Sequence, residues 1–296
     1  MIKLKKILTI VLGLAAYAYI FYIIIIKQSL LRILFETTAN EPIYLILALL
    51  SGFLMVLLQG YYLSKVFKLN GVKITLMKST LIWLSTIPLG IVTFGLSGFG
   101  IIYYQAKKQS NSDKKAFAAT VVYYAANLLI NTLVSVVIAF SLIKEYSLYI
   151  VLLLFILVIS FFLARKLLYH RFAKYFDVLV KSSKSLVKLS PFVLSTILAN
   201  ILIFIFTAMA FRVDLSVWRL IQIAVSGSIL SIYSPTGSGV GVVEAGIVGI
   251  MHSFGISLDK AAIFSLVYRV FNLWLPALFG YAVILNSGIK RFRGNA

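Results

Sequence analysis

The sequence contains no cysteine and little acid. Without cysteine among its 296 residues, the chain can form no disulfide, no thiolate metal site and no cysteine nucleophile. Its two histidines, His170 and His252, lie too far apart in sequence to suggest a metal cluster. Eight acidic residues stand against 28 lysines and arginines, and the apolar segments contain no Walker motif and no carboxylate pair. We therefore expect no metal, no other cofactor and no catalytic activity.

Long apolar runs make up most of the chain. Hydrophobic residues account for 61% of it and charged residues for 12%, with a mean hydropathy of +1.03, whereas soluble domains are about 45–50% apolar. A helix needs about 20 residues to cross a bilayer. The composition therefore predicts an all-α polytopic membrane protein, with the first apolar run retained because it lacks a signal-peptide cleavage site. Six stretches are predicted to span the membrane: Ile7–Ile26, Ile43–Leu63, Ala116–Leu142, Ser147–Leu163, Phe192–Phe211 and Ala261–Leu285.

Two further apolar stretches contain residues that interrupt helices. Ser79–Gln105 contains Pro88 and several glycines, and Val217–Leu258 contains the segment 234–246, with the sequence SPTGSGVGVVEAG. Irregular backbone at membrane depth is tolerated only where it is buried in protein or lines a water-filled cavity. Both stretches are therefore candidate functional segments.

The basic residues form bands between the apolar stretches. Because lysine and arginine concentrate in cytoplasmic loops, we place 21 of the 28 inside, six outside and Arg269 within a span. This placement requires Ser79–Gln105 to return to the cytoplasm and Val217–Leu258 to return to the outside. We predict two re-entrant helical hairpins, although the second stretch is also long enough for two short spans. Both termini are then cytoplasmic, at the cell (inner) membrane, and the net charge of +20 reflects orientation and not nucleic-acid binding.

Two segments of the chain are related in sequence. Residues 115–128 (KAFAATVVYYAANL) align without a gap with residues 260–273 (KAAIFSLVYRVFNL). The polar residues correspond, and their spacing places each trio on one helical face. They are Thr120, Tyr124 and Asn127 in the first segment and Ser265, Arg269 and Asn272 in the second.

This relationship predicts one membrane domain, residues 1–296, built as an inverted repeat. The basic segment Arg165–Ser190 carries seven Lys/Arg and one Asp and is predicted to be a cytoplasmic linker. It either lies along the anionic lipids of the inner leaflet or is simply solvated. The predicted repeats are 43–142, with the hairpin 79–105, and 192–285, with the hairpin 217–258.

Glu244 and Arg269 are ionisable residues within apolar sequence. An ionisable side chain at membrane depth costs about 2.5–3.5 kcal/mol even on a mild scale, so each needs a partner, and Arg269 is the natural partner for Glu244. One interpretation is a structural ion pair that locks the second hairpin to the last span. The other is that Arg269, whose planar fork suits phosphate oxygens, meets an anionic substrate while Glu244 tunes or replaces that contact.

The glycine-rich segment offers a second anion-binding feature. If Val242–Phe254 is the helix of the hairpin, residues 238–242 present unpaired backbone N–H groups at its positive end. Close helix packing is the alternative role for the glycines. The predicted substrate-binding residues are Glu244, Arg269, Ser238, Gly239, Gly241, Ser265, Asn272, Thr236, Tyr124 and Asn127. The predicted structural residues of the two hairpins are Pro235, Gly237, Gly246, Pro88, Gly98 and Gly100.

The segment from Pro235 to Gly246, followed by Ala261-Ala262 and Tyr268-Arg269, resembles a known signature. It is similar to that of the membrane-domain family found in lysylphosphatidylglycerol synthases and in stand-alone flippase-like proteins, over Ile43–Leu285. The resemblance implies a domain that moves lipids, such as aminoacylated phospholipid or lipid-linked sugars, from the inner to the outer leaflet. The family's motif positions correspond here to Pro235, Gly239, Gly241, Glu244, Gly246 and Arg269.

The chain departs from the family pattern in two respects. Residues 100–105 (GIIYYQ) lack the glutamate and arginine common in the first hairpin. The chain also ends eleven residues after Leu285, whereas synthase members carry a large soluble transferase domain. We therefore expect no synthesis of aminoacyl-lipid by this chain.

We expect a membrane lipid translocator whose substrate is a phosphate-bearing or glycan-linked lipid. Its headgroup is expected between the two hairpins while its tails stay in the bilayer. One alternative is a non-transporting membrane subunit that positions a glycosyltransferase or another lipid-modifying enzyme. Another is an ion-coupled carrier of a small solute, with Glu244 binding the proton. A laterally open cavity favours the lipid, and a sealed pocket favours the solute.

Overall fold

The structure, a computed structural model, describes residues 41–93, 96–142, 183–234 and 236–293, together with Glu36. Every regular element in these ranges is helical. The predicted spans Ile7–Ile26 and Ser147–Leu163 lie outside the described residues, as does most of the predicted linker 165–190. The α-helices are α1 (Pro42–Leu69), α2 (Leu76–Thr93), α3 (Leu96–Ser110), α4 (Asp113–Leu142), α5 (Ser183–Ala210), α6 (Val217–Tyr233), α7 (Val242–Ser253), α8 (Leu258–Arg269) and α9 (Leu275–Arg293).

Two short turns interrupt the helical order. A 3₁₀ turn, Gly237–Gly239, precedes α7, and a π turn, Val270–Trp274, joins α8 to α9 without a break in the backbone. A π turn holds one residue more than the corresponding α-helical turn and is often found at functional sites. Nothing in the sequence analysis anticipated it.

Four stretches of the described residues are long and apolar enough to cross a membrane. They overlap four of the six predicted spans, and α2 and α6 are apolar but shorter. The helix α5 begins at Ser183, inside the predicted linker, and Pro191 lies within it. The chain is thus a multi-pass, all-helical membrane protein. The candidate membrane-spanning stretches are Pro42–Leu69, Asp113–Ser135, Val187–Ala210 and Leu258–Asn286.

Each glycine-rich apolar stretch forms two helices that pack on each other. In the first, α2 contacts α3, and the Ser97 amide donates to the Thr93 hydroxyl across the break (3.0 Å). In the second, α6 contacts α7, and the Ser216 hydroxyl accepts from the Arg219 amide to begin α6 (3.4 Å). We call α2–α3 the first helix pair and α6–α7 the second helix pair.

The remaining helices form the frame around these pairs. The helix α1 packs extensively against α5, while α4 contacts α3, α5 and α6. Tyr62 of α1 stacks on Tyr123 of α4 with ring centroids 4.9 Å apart. Phe204 of α5 packs edge-on against Tyr268 of α8 at 5.1 Å. Tyr123 and Tyr268 correspond in the aligned segments, so each segment buries an aromatic contact at the same position.

The two helix pairs approach one another and α9 through glycines. Pro88 has no N–H to donate to the Leu84 carbonyl four residues earlier, and this carbonyl lies against Gly280 of α9, where a Cβ would overlap it. A Cβ on Gly237 would likewise overlap the Ile91 carbonyl. The turn of the second helix pair therefore lies directly on α2, near the end of that helix.

Candidate functional site

Glu244 and Arg269 form a buried ion pair between α7 and α8. Arg269 Nε donates to Glu244 Oε1 at 2.9 Å, and the two residues are 2% and 3% exposed, respectively. Removing two charges from water is costly unless the remaining polar atoms also find partners. The pairing predicted from the sequence is present, and its surroundings meet that requirement.

The first turn of α7 positions the Glu244 carboxylate. Its Oε2 accepts from the Gly241 amide at 2.8 Å, which caps the start of the helix. Gly241 has φ +82°, a left-handed conformation that glycine adopts without steric cost. The carboxylate therefore lies at the positive end of α7, where the helix dipole stabilises it.

Three nitrogens of the Arg269 guanidinium are directed at protein acceptors. Besides the Nε bond to Glu244, Nη2 donates to the Ser238 carbonyl at 2.8 Å and Nη1 to Asn272 Oδ1 at 3.3 Å. Asn272 lies in the π turn that follows Arg269. The arginine thus joins the glycine-rich turn, α7 and the π turn at one point.

The predicted anion site at residues 238–242 needs correction. Three of its backbone amides are paired within the protein: Gly239 N–H donates to the Thr236 carbonyl, Val240 N–H to the Gly237 carbonyl, and Gly241 N–H to Glu244. The prediction that these groups are unpaired is wrong for those three residues. The Glu244 carboxylate already supplies an anion at the start of α7. The amides of Gly239 and Val240 are used in the hydrogen bonds of the 3₁₀ turn.

Ser238 has a strained backbone at the centre of this turn. Its φ of 56° places a non-glycine residue in the left-handed region, which is uncommon. The conformation aims the Ser238 carbonyl at Arg269, and the same carbonyl accepts from the Ser231 hydroxyl at 3.2 Å. Strain of this kind persists where surrounding contacts hold it. Here the hydrogen bonds from Arg269 and Ser231 to the Ser238 carbonyl hold this conformation.

A continuous series of hydrogen bonds extends from the ion pair to α5 and α6. Asn272 Nδ2 makes a short bond to Asn200 Oδ1, which also accepts from the Tyr268 hydroxyl at 2.9 Å. Asn200 Nδ2 donates in turn to the Ser228 hydroxyl at 3.2 Å. Asn200, at the middle of α5, is therefore the branch point of the network.

The network lines a polar cavity of about 160 Å³. Asn127 and Asn131 of α4 also line it and bond to each other. Arg269 is the one charged side chain among the described residues that line the cavity. The lining residues are Met55, Gln59, Asn127, Asn131, Thr196, Ile197, Asn200, Gly227, Ser228, Ser231, Ile232, Val243, Tyr268, Arg269 and Asn272.

Three of the predicted site residues line this cavity: Arg269, Asn272 and Asn127. Glu244 lies behind Arg269, and the Ser265 hydroxyl donates to the Glu244 carbonyl at 3.5 Å. Thr236 bonds to the Ser234 hydroxyl at 2.7 Å, beside the turn.

Tyr124 does not line the cavity. Its ring stacks on Phe99 at 5.8 Å, and its hydroxyl fills the space next to Gly98. Of the corresponding residues in the two aligned segments, Asn127 and Asn272 both line the cavity. One turn earlier, Arg269 lines it and Tyr124 does not.

The predicted structural residues have different surroundings. Gly246 packs against Leu230 of α6 so closely that a Cβ would overlap its side chain, whereas Gly100 faces open space. Pro88 and Gly237 make the contacts of the helix pairs described above. Pro235 lies outside the described residues.

Several cavity residues were missed by the sequence analysis, namely Gln59, Asn131, Asn200, Ser228 and Tyr268. A usable signal existed for Asn131, which follows Asn127 by one helical turn and so shares its face. Asn200 is a polar residue within a predicted span, and such residues usually face the interior of a helical bundle. In the part of the chain that the structure describes, no three His, Asp or Glu residues are grouped as a metal site.

Comparison with known proteins identifies the family. The model of the family described as "Lysylphosphatidylglycerol synthase TM region" matches residues 9–280, which is most of the chain. A comparison with curated proteins finds no match. The family match agrees with the resemblance in the glycine-rich segment and supports a function related to membrane lipids. The chain belongs to the lysylphosphatidylglycerol synthase transmembrane-region family.

Proposed function

We propose that this protein moves a phosphate-bearing or glycan-linked lipid between the leaflets of the cell membrane. The observation that carries the proposal is the polar cavity of about 160 Å³ beside a buried ion pair, within helices otherwise apolar enough for lipid. Polar groups in such surroundings are costly and mark substrate paths. The family match adds a membrane lipid as the class of substrate.

Re-entrant helix pairs are part of the proposal. The first helix pair enters from the cytoplasm and the second from outside, which places the turn at 237–239 against α2 near the middle of the membrane. The aromatic pairs at Tyr123 and Tyr268 support an inverted repeat. Transporters of this architecture bind substrate at the interface of the repeats, where the cavity lies.

In the proposed mechanism, the headgroup enters the cavity and the acyl chains stay in the bilayer. Arg269 and Asn272 offer N–H donors to the headgroup, and Asn127 and Asn131 offer amide groups. A headgroup oxygen competes with Ser238 and Asn272 for the guanidinium, so binding loosens the turn between α6 and α7. The protein then carries the lipid across without changing it chemically.

Leaflet-resolved transport in proteoliposomes tests the proposal. Labelled phospholipids and glycolipids are placed in one leaflet, and their appearance in the other is followed for wild type, Arg269→Ala and Glu244→Gln. We expect wild type to accelerate exchange of at least one lipid and Arg269→Ala to abolish it. Arg212→Ala is the matched control, because Arg212 also pairs with a glutamate, Glu41, but at the surface.

Two results would contradict the proposal. If folded wild-type protein moves no lipid but co-purifies with a glycosyltransferase or another lipid-modifying enzyme, the chain is a non-transporting subunit. If it moves a small solute together with protons, and Glu244→Gln removes the proton dependence, the chain is a solute carrier.

A further inference from the structure

The proposed function leaves two headgroup chemistries, phosphate and glycan, and the charge balance of the cavity distinguishes them. Arg269 is the one charged residue among the described lining residues, and Glu244 neutralises it at 2.9 Å. The cavity therefore offers a bound group no net charge. An ionic headgroup that enters would lose its hydration without gaining a counterion, which is unfavourable.

The remaining polar lining consists of amides and hydroxyls. An amide side chain carries both donors and an acceptor, and a hydroxyl donates and accepts. A phosphate only accepts hydrogen bonds, so it offers nothing to the amide oxygens, and an ammonium only donates, so it offers nothing to the amide NH₂ groups. A sugar or glycerol hydroxyl does both. The amide and hydroxyl residues are Gln59, Asn127, Asn131, Thr196, Asn200, Ser228, Ser231, Tyr268 and Asn272.

The hydrogen-bond network also shows how hydroxyls could be exchanged. Asn200 Oδ1 accepts from Asn272 and Tyr268, while Asn200 Nδ2 donates to Ser228. A ligand hydroxyl can replace any one of these partners and supply the same donor or acceptor. No charge has to be created or removed at any step.

We propose that the cavity binds an uncharged polyhydroxylated headgroup, a sugar or a glycerol, and that this group defines the transported lipid. This inference rests on the proposed function. It names Asn131, Asn200 and Ser228 as residues that select the headgroup. A phosphate, where the lipid has one, then stays outside the cavity.

The test uses four lipids with identical acyl chains. Glucosyldiacylglycerol carries a sugar without phosphate, phosphatidylglycerol a glycerol with phosphate, phosphatidic acid a phosphate alone, and lysylphosphatidylglycerol an added cation. In proteoliposomes we expect glucosyldiacylglycerol to cross fastest. Of the two anionic lipids, phosphatidylglycerol should cross faster than phosphatidic acid. Phosphatidic acid and lysylphosphatidylglycerol should cross at least about tenfold more slowly. If either of these two lipids crosses as fast as glucosyldiacylglycerol or faster, the inference is overturned, although the proposed function as a lipid translocator is retained.

Binding is measured separately, so that failure of transport can be told apart from failure of headgroup selection. The protein is unfolded thermally in a detergent without a sugar headgroup, in the presence of each lipid. Stabilisation by glucosyldiacylglycerol and not by phosphatidic acid supports the inference even where no lipid is moved. The opposite order, or no difference, overturns it.

An isosteric charge placed in the cavity sharpens the test. Asn131 is 9% exposed and lines the cavity, so Asn131→Asp puts a carboxyl group of similar size in the site at the cost of its bond to Asn127. Because burial favours the neutral acid, transport is measured at alkaline pH, where the carboxylate makes the site negative. We expect the ratio of lysylphosphatidylglycerol to glucosyldiacylglycerol transport to rise at least about tenfold. Asn286→Asp, at an exposed amide of α9 outside the cavity, should leave the ratio unchanged. An unchanged ratio in folded Asn131→Asp contradicts a charge-balanced site.

Discussion

The Arg269 guanidinium is held by acceptors from three different segments. Glu244 neutralises it, while the Ser238 carbonyl and Asn272 bind its two terminal nitrogens. A buried ion pair contributes little net stability, because desolvation offsets most of the attraction between its charges. Stability alone therefore does not account for the network at Arg269, which is why we propose that it handles substrate.

Removing one charge should be far more damaging than removing both. We expect Arg269→Met to lower the free energy of unfolding by about 3–5 kcal/mol, because Glu244 is left charged and buried. The double variant Glu244→Gln/Arg269→Met should recover most of that loss. Thermal unfolding followed by tryptophan fluorescence measures both effects, since the chain contains three tryptophans.

An exposed ion pair provides the control for this experiment. Arg212 bonds to Glu41 at 2.8 Å with 67% of its side chain exposed, so Arg212→Met should change stability by less than about 1 kcal/mol. If Arg269→Met costs no more than Arg212→Met, the Glu244–Arg269 pair is not buried in the protein. The double variant should also remain inactive in transport if the pair serves the substrate.

The sequence identified the ion pair but only part of the cavity. Glu244 and Arg269 could be predicted because a charge in apolar sequence is costly without a partner. Asn200 could be expected to face the interior of the bundle, but its bonds to Ser228 and Asn272 could not be predicted, because these partners come from other segments of the chain. Tyr124 was predicted in the cavity by its spacing, yet its large ring packs against Phe99 instead.

At the scale of elements, the helix pairs make their close contacts at glycines, which have no side chain. Gly280 of α9 lies against the Leu84 carbonyl, which Pro88 leaves without its usual helical donor. Only a residue without a Cβ fits there. The division of the stretch 79–105 into two helices could be predicted from its glycines, whereas Pro88 lies inside α2 and does not end it. The contact with α9 could not be predicted, because the partner is almost 200 residues away in sequence.

Alanine at two helical glycines should have opposite effects. We expect Gly280→Ala to lower the free energy of unfolding by about 1–3 kcal/mol, because the added methyl forces α9 away from α2. Gly249→Ala is the control: a Cβ there meets nothing within 4 Å, and alanine favours a helix by about 0.5–1 kcal/mol. Thermal unfolding of both variants measures the difference. Equal melting temperatures would show that α2 and α9 are not in close contact.

At the scale of the whole molecule, the orientation of the helix pairs can be tested by labelling. The chain has no cysteine, so each introduced thiol gives a single signal. We expect an impermeant maleimide to label Lys108→Cys and Ser97→Cys from the cytoplasmic side and Asp214→Cys from outside. Labelling of Ser97→Cys from outside alone would mean that α2 and α3 together cross the membrane.

The π turn decides which parts of the molecule the last helix can reach. Successive residues of an α-helix are about 100° apart, so Arg269 and Gly280, eleven positions apart, would point within about 20° of each other in an unbroken α-helix. The wider turn Val270–Trp274 rotates the chain less per residue, which shifts one direction relative to the other by about 90° and leaves them roughly 70° apart. Arg269 is thereby directed at the second helix pair while Gly280 faces the first. Because α8, the π turn and α9 are continuous, a rotation of this helical segment about its axis would change both contacts together.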